Sequence, residues 1–305
     1  MADVVEALRL GASDYLIKPI IDLEVLEHSV VRNLKQLRLI EENQAYRQQL
    51  EDNNAILEHR FEELRLDQQA GREVQKRMLP EAQAQIDGIE FNYHIIPSLY
   101  LSGDFVDYFP VTADKVVFYV ADVSGHGASS AFITVLLKNL CNRLRRNLKR
   151  QSSADLMTPH KVIDRINKEL VEAKLGKHVS LFWGMIDLPS HQMSYSVAGQ
   201  FPMPILKNHL GAFYLDGRSQ PAGLFAEAEY STYQVELGSS FDLIAVSDGI
   251  LEVMPESSLA EKESRLLSWV EQGVLTVENL ETLLDLQDGK EIPDDITLLT
   301  LSRTE

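Results

Sequence analysis

The chain has 305 residues, and 46 acidic side chains against 29 basic ones give a formal net charge of −17. This charge excludes a general binder of nucleic acid or of anionic membranes, because both need a positive surface. Cys141 is the only cysteine, which excludes an internal disulfide and a cysteine-rich zinc cluster and fits a reducing cytoplasm. The longest clean apolar run, residues 116–121, is far shorter than the ~20 residues that cross a bilayer. We therefore expect a cytoplasmic protein without a nucleic-acid or membrane partner.

Residues 1–21 predict a short helix, a turn at residues 11–13 and a strand at residues 15–17 that ends at Lys18-Pro19. One helix and one strand leave an apolar face with nothing to pack on. We therefore interpret residues 1–21 as a remnant of a domain.

Residues 22–79 contain no proline, a single glycine and many charges of both signs, which predicts a long helical linker. Leu50, Leu57 and Leu64 recur every seven residues, and Phe61 falls on the other seam position between them. This spacing predicts a parallel coiled-coil homodimer through roughly residues 45–78. The alternative is a helix that packs along its own C-terminal domain.

Residues 80–305 predict one domain of strands and helices. Short apolar or alternating runs predict strands at 91–96, 115–122, 180–187, 192–198, 203–206, 232–236, 242–247 and 296–302. Helical periodicity appears at 129–149, 159–174 and 258–272. Strands in runs, with helices between the runs, favour an α+β fold of mostly antiparallel sheets.

Aspartates stand at the ends of several of these predicted strands. Asp104 follows Ser102-Gly103, Asp122 and Asp248 end two apolar strands, and Asp294 precedes the last strand. A cluster of unpaired carboxylates repels itself, and Mg²⁺ or Mn²⁺, which prefer oxygen ligands, would relieve that repulsion. Two such ions ~4 Å apart can clamp a phosphoryl group. The alternative for each aspartate is that it caps a turn or a helix, as Asp122 could before the helix after residue 127 and Asp248 could next to Gly249.

Four sequence blocks resemble the metal-dependent PPM-type serine/threonine phosphatases, and more narrowly their SpoIIE/RsbU-like branch. They are Ser-Gly-Asp-Phe-Val-Asp at residues 102–107, Ala-Asp-Val-Ser-Gly-His-Gly at 121–127, Ser-Asp-Gly at 247–249 and Asp-Asp-Ile-Thr at 294–297. Residues 74–80 and 197–204 also resemble this branch, so the likeness covers about residues 74–303. It implies a four-layer α-β-β-α sandwich with two antiparallel sheets. The implied reaction is hydrolysis of phosphoserine or phosphothreonine by a metal-activated water.

The resemblance also implies a ligand set for two Mn²⁺ or Mg²⁺ ions. Asp104, Asp122 and the backbone carbonyl of Val123 would hold the first ion, and Asp122 would bridge to a second that Asp248 and Asp294 complete. These aspartates would be the catalytic residues.

Three further side chains, Asp107, His126 and Asp295, would stand in a second shell. His126 could protonate the departing oxygen, or it could only stabilise its glycine-flanked turn. Ser102 and Gln200 depart from the family pattern, which has glycine and histidine there.

Residues 7–19 resemble the last third of a response-regulator receiver domain, in which Lys18 would touch the phosphorylated aspartate. That aspartate would lie upstream of residue 1, so we do not expect this chain to accept phosphate. The order of receiver, helical linker and phosphatase-like domain resembles the RssB-type regulators of the stationary-phase sigma factor in pseudomonads.

Two functions follow from these resemblances. One is a phosphatase that acts on a phosphoprotein, an anti-sigma-factor antagonist. The other is an adaptor that presents a sigma factor for proteolysis with little or no catalysis.

Overall fold

The computed structural model describes residues 2–16, 18–20, 22–125, 127–286 and 292–304. They form two compact units, Met1–Leu66 and Asp67–Glu305. Helix α1 spans Ala2–Arg9, and helix α2 spans Leu23–Met78 and contributes residues to both units. Among the described helices, none combines the length and the apolar character that a membrane crossing requires.

The N-terminal unit consists of α1, the segment that follows it and most of α2. Asp14 accepts hydrogen bonds from Ser29 and, at 2.8 Å, from Arg32 Nη2, which ties that segment to α2. The strand predicted at residues 15–17 is wrong where the structure describes it, since Tyr15 and Leu16 lie in no strand, and Ile17 lies outside the described residues. A strand needs a neighbouring strand for its backbone hydrogen bonds, and the described part of this unit offers none.

The predicted long helix is confirmed, and the apolar side chains of its predicted seam are exposed. The side chains of Leu50, Leu57, Phe61 and Leu64 are each 56–65% exposed. The alternative, in which the helix packs along its own C-terminal domain, stays open. The coiled-coil homodimer stays a prediction.

Two antiparallel sheets form the centre of the C-terminal unit. The first sheet has the strand order β1-β2-β11-β10-β7-β8, and the second has the order β3-β4-β5-β6-β9. The strands are β1 Gln83–Ile86, β2 Ile89–Ile96, β3 Asp104–Thr112, β4 Lys115–Val123, β5 Val179–Asp187, β6 Gln192–Ala198, β7 Ile205–Asn208, β8 Gly211–Tyr214, β9 Tyr233–Glu236, β10 Phe241–Val246 and β11 Ile296–Arg303.

Helices cover the outer faces of both sheets. They are α3 Ala128–Lys149, α4 Pro159–Ala173, α5 Gly249–Val253, α6 Leu259–Gln272 and α7 Leu280–Leu283. Phe118 and Phe182 pack between the sheets, Trp183 packs under α3 and α4, and Trp269 packs α6 against the first sheet. The predicted α+β class and the four-layer α-β-β-α arrangement are therefore confirmed.

Three strands, β1, β3 and β8, are absent from the sequence prediction. The most important is β3, which carries Asp107 and Pro110, two residue types that are depleted in strands. Its position at the edge of its sheet and an irregularity in pairing between Pro110 and Thr112 explain how it tolerates the proline.

Candidate active site

The ends of four strands bring the predicted aspartates together, two from each sheet. Asp104 is the first residue of β3 and lies directly opposite Asp122 near the end of β4. Asp248 comes two residues after β10, and Asp294 comes two residues before β11, the strand that pairs with β10. The side chains of Asp248 and Asp294 both act electrostatically on Asp122, so the two pairs face each other.

Asp104 is a buried carboxylate with an unused oxygen. Its side chain is 2% exposed, and its Oδ2 atom has no hydrogen-bond partner among the described residues. Burial raises the pKa of Asp104 well above its ordinary value, and the charge of Asp122 raises it further. A buried acceptor without a donor is uncommon and is suited to a cation ligand.

The other carboxylates of the cluster also repel one another. Burial raises the pKa of Asp122 to about 7, and the charges of Asp248 and Asp294 add to this effect. The pKa of Asp248 is raised by burial and then by Asp294. Within the described ranges, no three Asp, Glu, His or Cys side chains already converge as a finished metal-binding group. In chemistry and burial the carboxylates of the cluster nevertheless fit a divalent cation.

Helix capping does not account for these aspartates. Gly127, not Asp122, occupies the N-cap of α3, and no side chain caps that helix. Asp248 occupies the N-cap of α5, but its side chain accepts no capping hydrogen bond. The capping alternative is therefore wrong for Asp122, and the alternative of a turn at Asp248 and Gly249 stays open.

Asp295 holds the loop that delivers Asp104. Its Oδ1 accepts hydrogen bonds from Ser98 N at 2.6 Å and Ser98 Oγ at 2.8 Å. Its Oδ2 accepts from Gly103 N at 2.6 Å and Ser102 Oγ at 3.0 Å. With two donors on each oxygen, Asp295 is suited to anchoring residues 98–103 from behind the cluster.

Ser102 stands where the family pattern has glycine, and its hydroxyl group takes part in the site. Its hydroxyl donates to Asp295 and accepts a hydrogen bond from Asp104 N at 3.0 Å, so it links the anchor to the first carboxylate. The next residue must be glycine, because a Cβ at Gly103 would lie 2.9 Å from the carbonyl oxygen of Val123. Val123 itself is buried at the end of β4, so its carbonyl stays close to the Asp104 loop.

Sequence reasoning missed two side chains that hold the site. Gln75, near the end of α2, donates through Nε2 to Ser102 O at 2.7 Å and accepts from Ser102 N at 3.2 Å. Lys177 donates through Nζ to Ser124 O at 2.7 Å and to Ser130 Oγ at 3.1 Å. Ser130 Oγ in turn donates to Gly125 O at 2.8 Å, so Lys177 and Ser130 together hold the loop that follows Val123. The block at residues 74–80 was the available signal for Gln75, and a lone lysine before β5 was too weak a signal for Lys177.

One predicted residue, Asp107, is not brought to the cluster. Asp107 lies three positions after Asp104 on β3, and alternation places it on the opposite face, where it pairs with Lys138 Nζ at 2.8 Å. Its predicted second-shell position is therefore wrong. His126 lies outside the described residues. Lys18 is exposed in the N-terminal unit, and its receiver-like role stays a prediction.

Gln200 is a buried crosslink and not a free group at the reaction centre. Its Nε2 donates to Val246 O at 2.9 Å and to Pro202 O at 3.3 Å. Val246 ends β10, two residues before Asp248, so the amide ties the loop between β6 and β7 to the strand that carries Asp248.

Comparisons with known proteins agree with this architecture. The family model of Stage II sporulation protein E (SpoIIE) matches residues 112–304. The chain is 24% identical over 215 residues to Phosphoserine phosphatase RsbP of Bacillus subtilis, which covers 65% of this chain and 51% of that protein. It is 26% identical over 188 residues to Regulator of RpoS of Escherichia coli, which covers 60% of this chain and 52% of that protein. The chain thus spans about half the length of these curated relatives.

A solved structure shows the same fold. The crystal structure of RsbX in complex with magnesium matches with a TM-score of 0.53 at 17% identity, and the match covers 73% of this chain and 98% of RsbX. At this identity the likeness establishes the fold alone, and the bound magnesium is a property of RsbX.

Proposed function

Because this chain belongs to the SpoIIE family, we propose that residues 80–305 hydrolyse phosphoserine or phosphothreonine in a protein substrate with the help of divalent metal ions. The observation that carries the proposal is the carboxylate cluster at the strand ends, with the unused Asp104 Oδ2 buried beside Asp122. Among the described residues, neither Asp122 nor Asp248 caps a helix with its side chain.

Asp104, Asp122 and the Val123 carbonyl would hold one Mn²⁺ or Mg²⁺ ion, and Asp122, Asp248 and Asp294 would hold a second. When bound, such ions supply a water of lowered pKa and positive charge against the phosphoryl oxygens. The protein itself positions the ligands. Asp295 holds the loop at residues 98–103, which carries Asp104 at its end, and Lys177 holds the loop after Val123. Preorganised groups of this kind need little rearrangement during the reaction.

We place this activity in sigma-factor control, in the cytoplasm, with a phosphorylated anti-sigma-factor antagonist as the substrate. The resemblance of the catalytic blocks to the SpoIIE/RsbU-like branch and the match to RsbP support this assignment. The exposed seam of α2 supports a homodimer through the helical linker. Receiver-like residues before the linker support attachment to a two-component signal.

The test is Mn²⁺-dependent hydrolysis of p-nitrophenyl phosphate by the full chain. We expect Asp122→Asn to lower kcat at least about a hundredfold, because Asp122 is shared by both metal positions. Asp242→Asn, a change of the same kind on β10, should retain activity, since Asp242 is not part of the cluster. An active Asp122→Asn protein would disprove the shared-ligand assignment.

A second candidate function is a phosphatase-like adaptor that binds the stationary-phase sigma factor for proteolysis. The match to Regulator of RpoS favours it, and so does Gln200 in place of the family's histidine. Isothermal calorimetry with Mn²⁺ separates the two functions. A phosphatase binds the ion and hydrolyses p-nitrophenyl phosphate, whereas an adaptor that binds a sigma factor without metal and without hydrolysis would replace our proposal.

A further inference from the structure

The C-terminal unit has an open groove of about 470 Å³. The loop between β6 and β7 forms one wall with Phe201 and Met203, the segment after β8 forms a second with Arg218, and α6 forms a third with Glu263. None of these residues belongs to the carboxylate cluster.

The groove is joined to the cluster through its floor. Gln200 lines it and donates to Val246 O at 2.9 Å, two residues before Asp248. The side chain of Gln200 is 6% exposed, and its Oε1 has no hydrogen-bond partner among the described residues. A polypeptide lying in this groove would therefore pass close to the strand end that carries Asp248.

Hydrogen bonds hold the walls of the groove in place. Tyr195 OH donates to Asp216 O at 2.8 Å, and Ser219 Oγ donates to Val197 O, which fixes the segment after β8 to β6. Tyr214 OH donates to Glu263 O at 2.7 Å, which fixes α6 to β8. Since the walls are preformed, little ordering entropy opposes binding.

The walls carry complementary chemistry for a peptide. Phe201 is 38% exposed and offers an apolar surface. Arg218 is exposed and Glu263 is half-buried, and neither forms an ion pair with any described residue. Asp216 shares the Arg218 wall, but no ion pair joins the two. Opposite unpaired charges on separate walls suit an extended segment with an acidic residue near Arg218 and a basic residue near Glu263.

We propose that this groove binds the polypeptide that flanks the phosphorylated residue of the substrate, through an acidic side chain at Arg218 and a basic one at Glu263. The inference rests on the proposed function for the identity of its occupant. It goes further by placing sequence selectivity in the groove walls and not in the carboxylate cluster.

Two fluorescent phosphoserine peptides test the groove, one with acidic residues before the phosphoserine and basic residues after it, and one with the reverse order. Fluorescence anisotropy on the full chain should show one order binding more tightly by about fivefold, the size of ~1 kcal/mol from an exposed ion pair. Arg218→Glu should abolish or reverse that preference. Arg150→Glu, at an exposed arginine after α3, is the matched control and should leave the preference intact.

The outcomes separate the inference from the function that it extends. Equal binding of both peptides by the unmodified chain, or an unaltered preference in Arg218→Glu, would overturn the groove assignment. A charge-order preference that Arg218→Glu removes supports the groove even if p-nitrophenyl phosphate is not hydrolysed, and that combination would reject the proposed function alone.

Discussion

The two units of the chain treat their apolar side chains in opposite ways. In the C-terminal unit Phe118, Phe182 and Trp183 are completely buried, and burial of this kind is the main source of folding free energy. In the N-terminal unit, α2 exposes Leu50 and Leu57 by more than half. Helices draw most of their stability from an apolar face that packs on a neighbour. The face of α2 that carries Leu50 and Leu57 is not packed in this way. The C-terminal unit therefore buries an apolar core, whereas the predicted seam of α2 is exposed.

The units also differ in how they use charge. Ion pairs on α2, such as Arg38–Glu42, are exposed, and pairs of that kind contribute little. In the C-terminal unit three aspartates are buried and differ in their partners. Asp107 forms an ion pair with Lys138, and Asp295 accepts several hydrogen bonds. Asp104 Oδ2 has no hydrogen-bond donor among the described residues. The contrast between the satisfied Asp295 and the unsatisfied Asp104 separates a structural anchor from a candidate ligand.

The largest expected effect tests whether α2 finds its partner in a second copy. Leu57→Glu places a charge in the seam of both helices, and we expect a weakening of dimerisation by about a thousandfold or more, because buried unpaired charge costs several kcal/mol. Light scattering at micromolar concentration should show dimers for the unmodified chain and monomers for the variant. Ile56→Glu, one residue away and off the seam, should remain dimeric. A monomeric unmodified chain would refute the coiled-coil interpretation.

Asp295, the structural anchor, and Asp294, a candidate metal ligand, should respond differently to substitution. Asp295→Ala leaves the four donors of residues 98–103 unpaired, and we expect the free energy of unfolding to fall by about 3 kcal/mol. Asp294→Ala should abolish hydrolysis without that loss, because it removes a charge that repels Asp122. Urea unfolding in EDTA, followed by tryptophan fluorescence, measures both, since Trp183 and Trp269 lie in this unit. Equal destabilisation by the two variants would contradict the assignment.

The sequence was sufficient to predict the strands that carry Asp122 and Asp248. Both strands contain short apolar runs that are followed by an aspartate, and their length and their β-branched and aromatic residues favour a strand over a helix. It was not sufficient for β3, whose aspartate and proline disguise an edge strand. The resemblance implied a second-shell place for Asp107, whereas alternation along β3 puts Asp107 and Asp104 on opposite faces.

Gln75 and Lys177 were missed for a different reason. Their partners lie 27 and 53 residues away in sequence, at Ser102 and Ser124. Only the pairing of Asp122 with Ser180 places Lys177 beside Gly125, and a single sequence contains no information on such register. Local patterns therefore identify the ligands, and tertiary contacts determine what holds them.

A smaller effect distinguishes the two units by their response to pH. The folded-state pKa of Asp122 is raised from 3.8 to about 7, so between these values the folded chain keeps a proton that the unfolded chain has lost. Stability of the metal-free C-terminal unit should therefore fall as pH rises through this window. In the N-terminal unit, a hydrogen bond from Ser29 lowers the pKa of Asp14, so its small contribution is instead lost as pH falls.

Urea unfolding in EDTA at pH 5 and pH 7.5 checks the Asp122 contribution. The unmodified chain should lose more stability between the two values than Asp122→Asn, which cannot release that proton. Parallel behaviour of the two proteins would show that Asp122 is ionised throughout, and the repulsion inferred for the cluster would then be wrong.

The smallest expected effect concerns Lys177, which holds the loop after Val123. Lys177→Met removes the donor to Ser124 O and Ser130 Oγ, and we expect an increase of about tenfold in the Mn²⁺ concentration for half-maximal activity, since small displacements of ligand loops are costly. Lys177→Arg keeps the charge and the donors and should recover much of the loss, whereas Lys168→Met, on the exposed face of α4, should have no effect. A residue that only stabilised the fold would lower the unfolding free energy and leave the Mn²⁺ dependence unchanged. If Lys177→Met lowered only the unfolding free energy, Ser130 alone would hold the loop after Val123. Asp295 and Gln75 would then position the ligands without a contribution from the charge of Lys177.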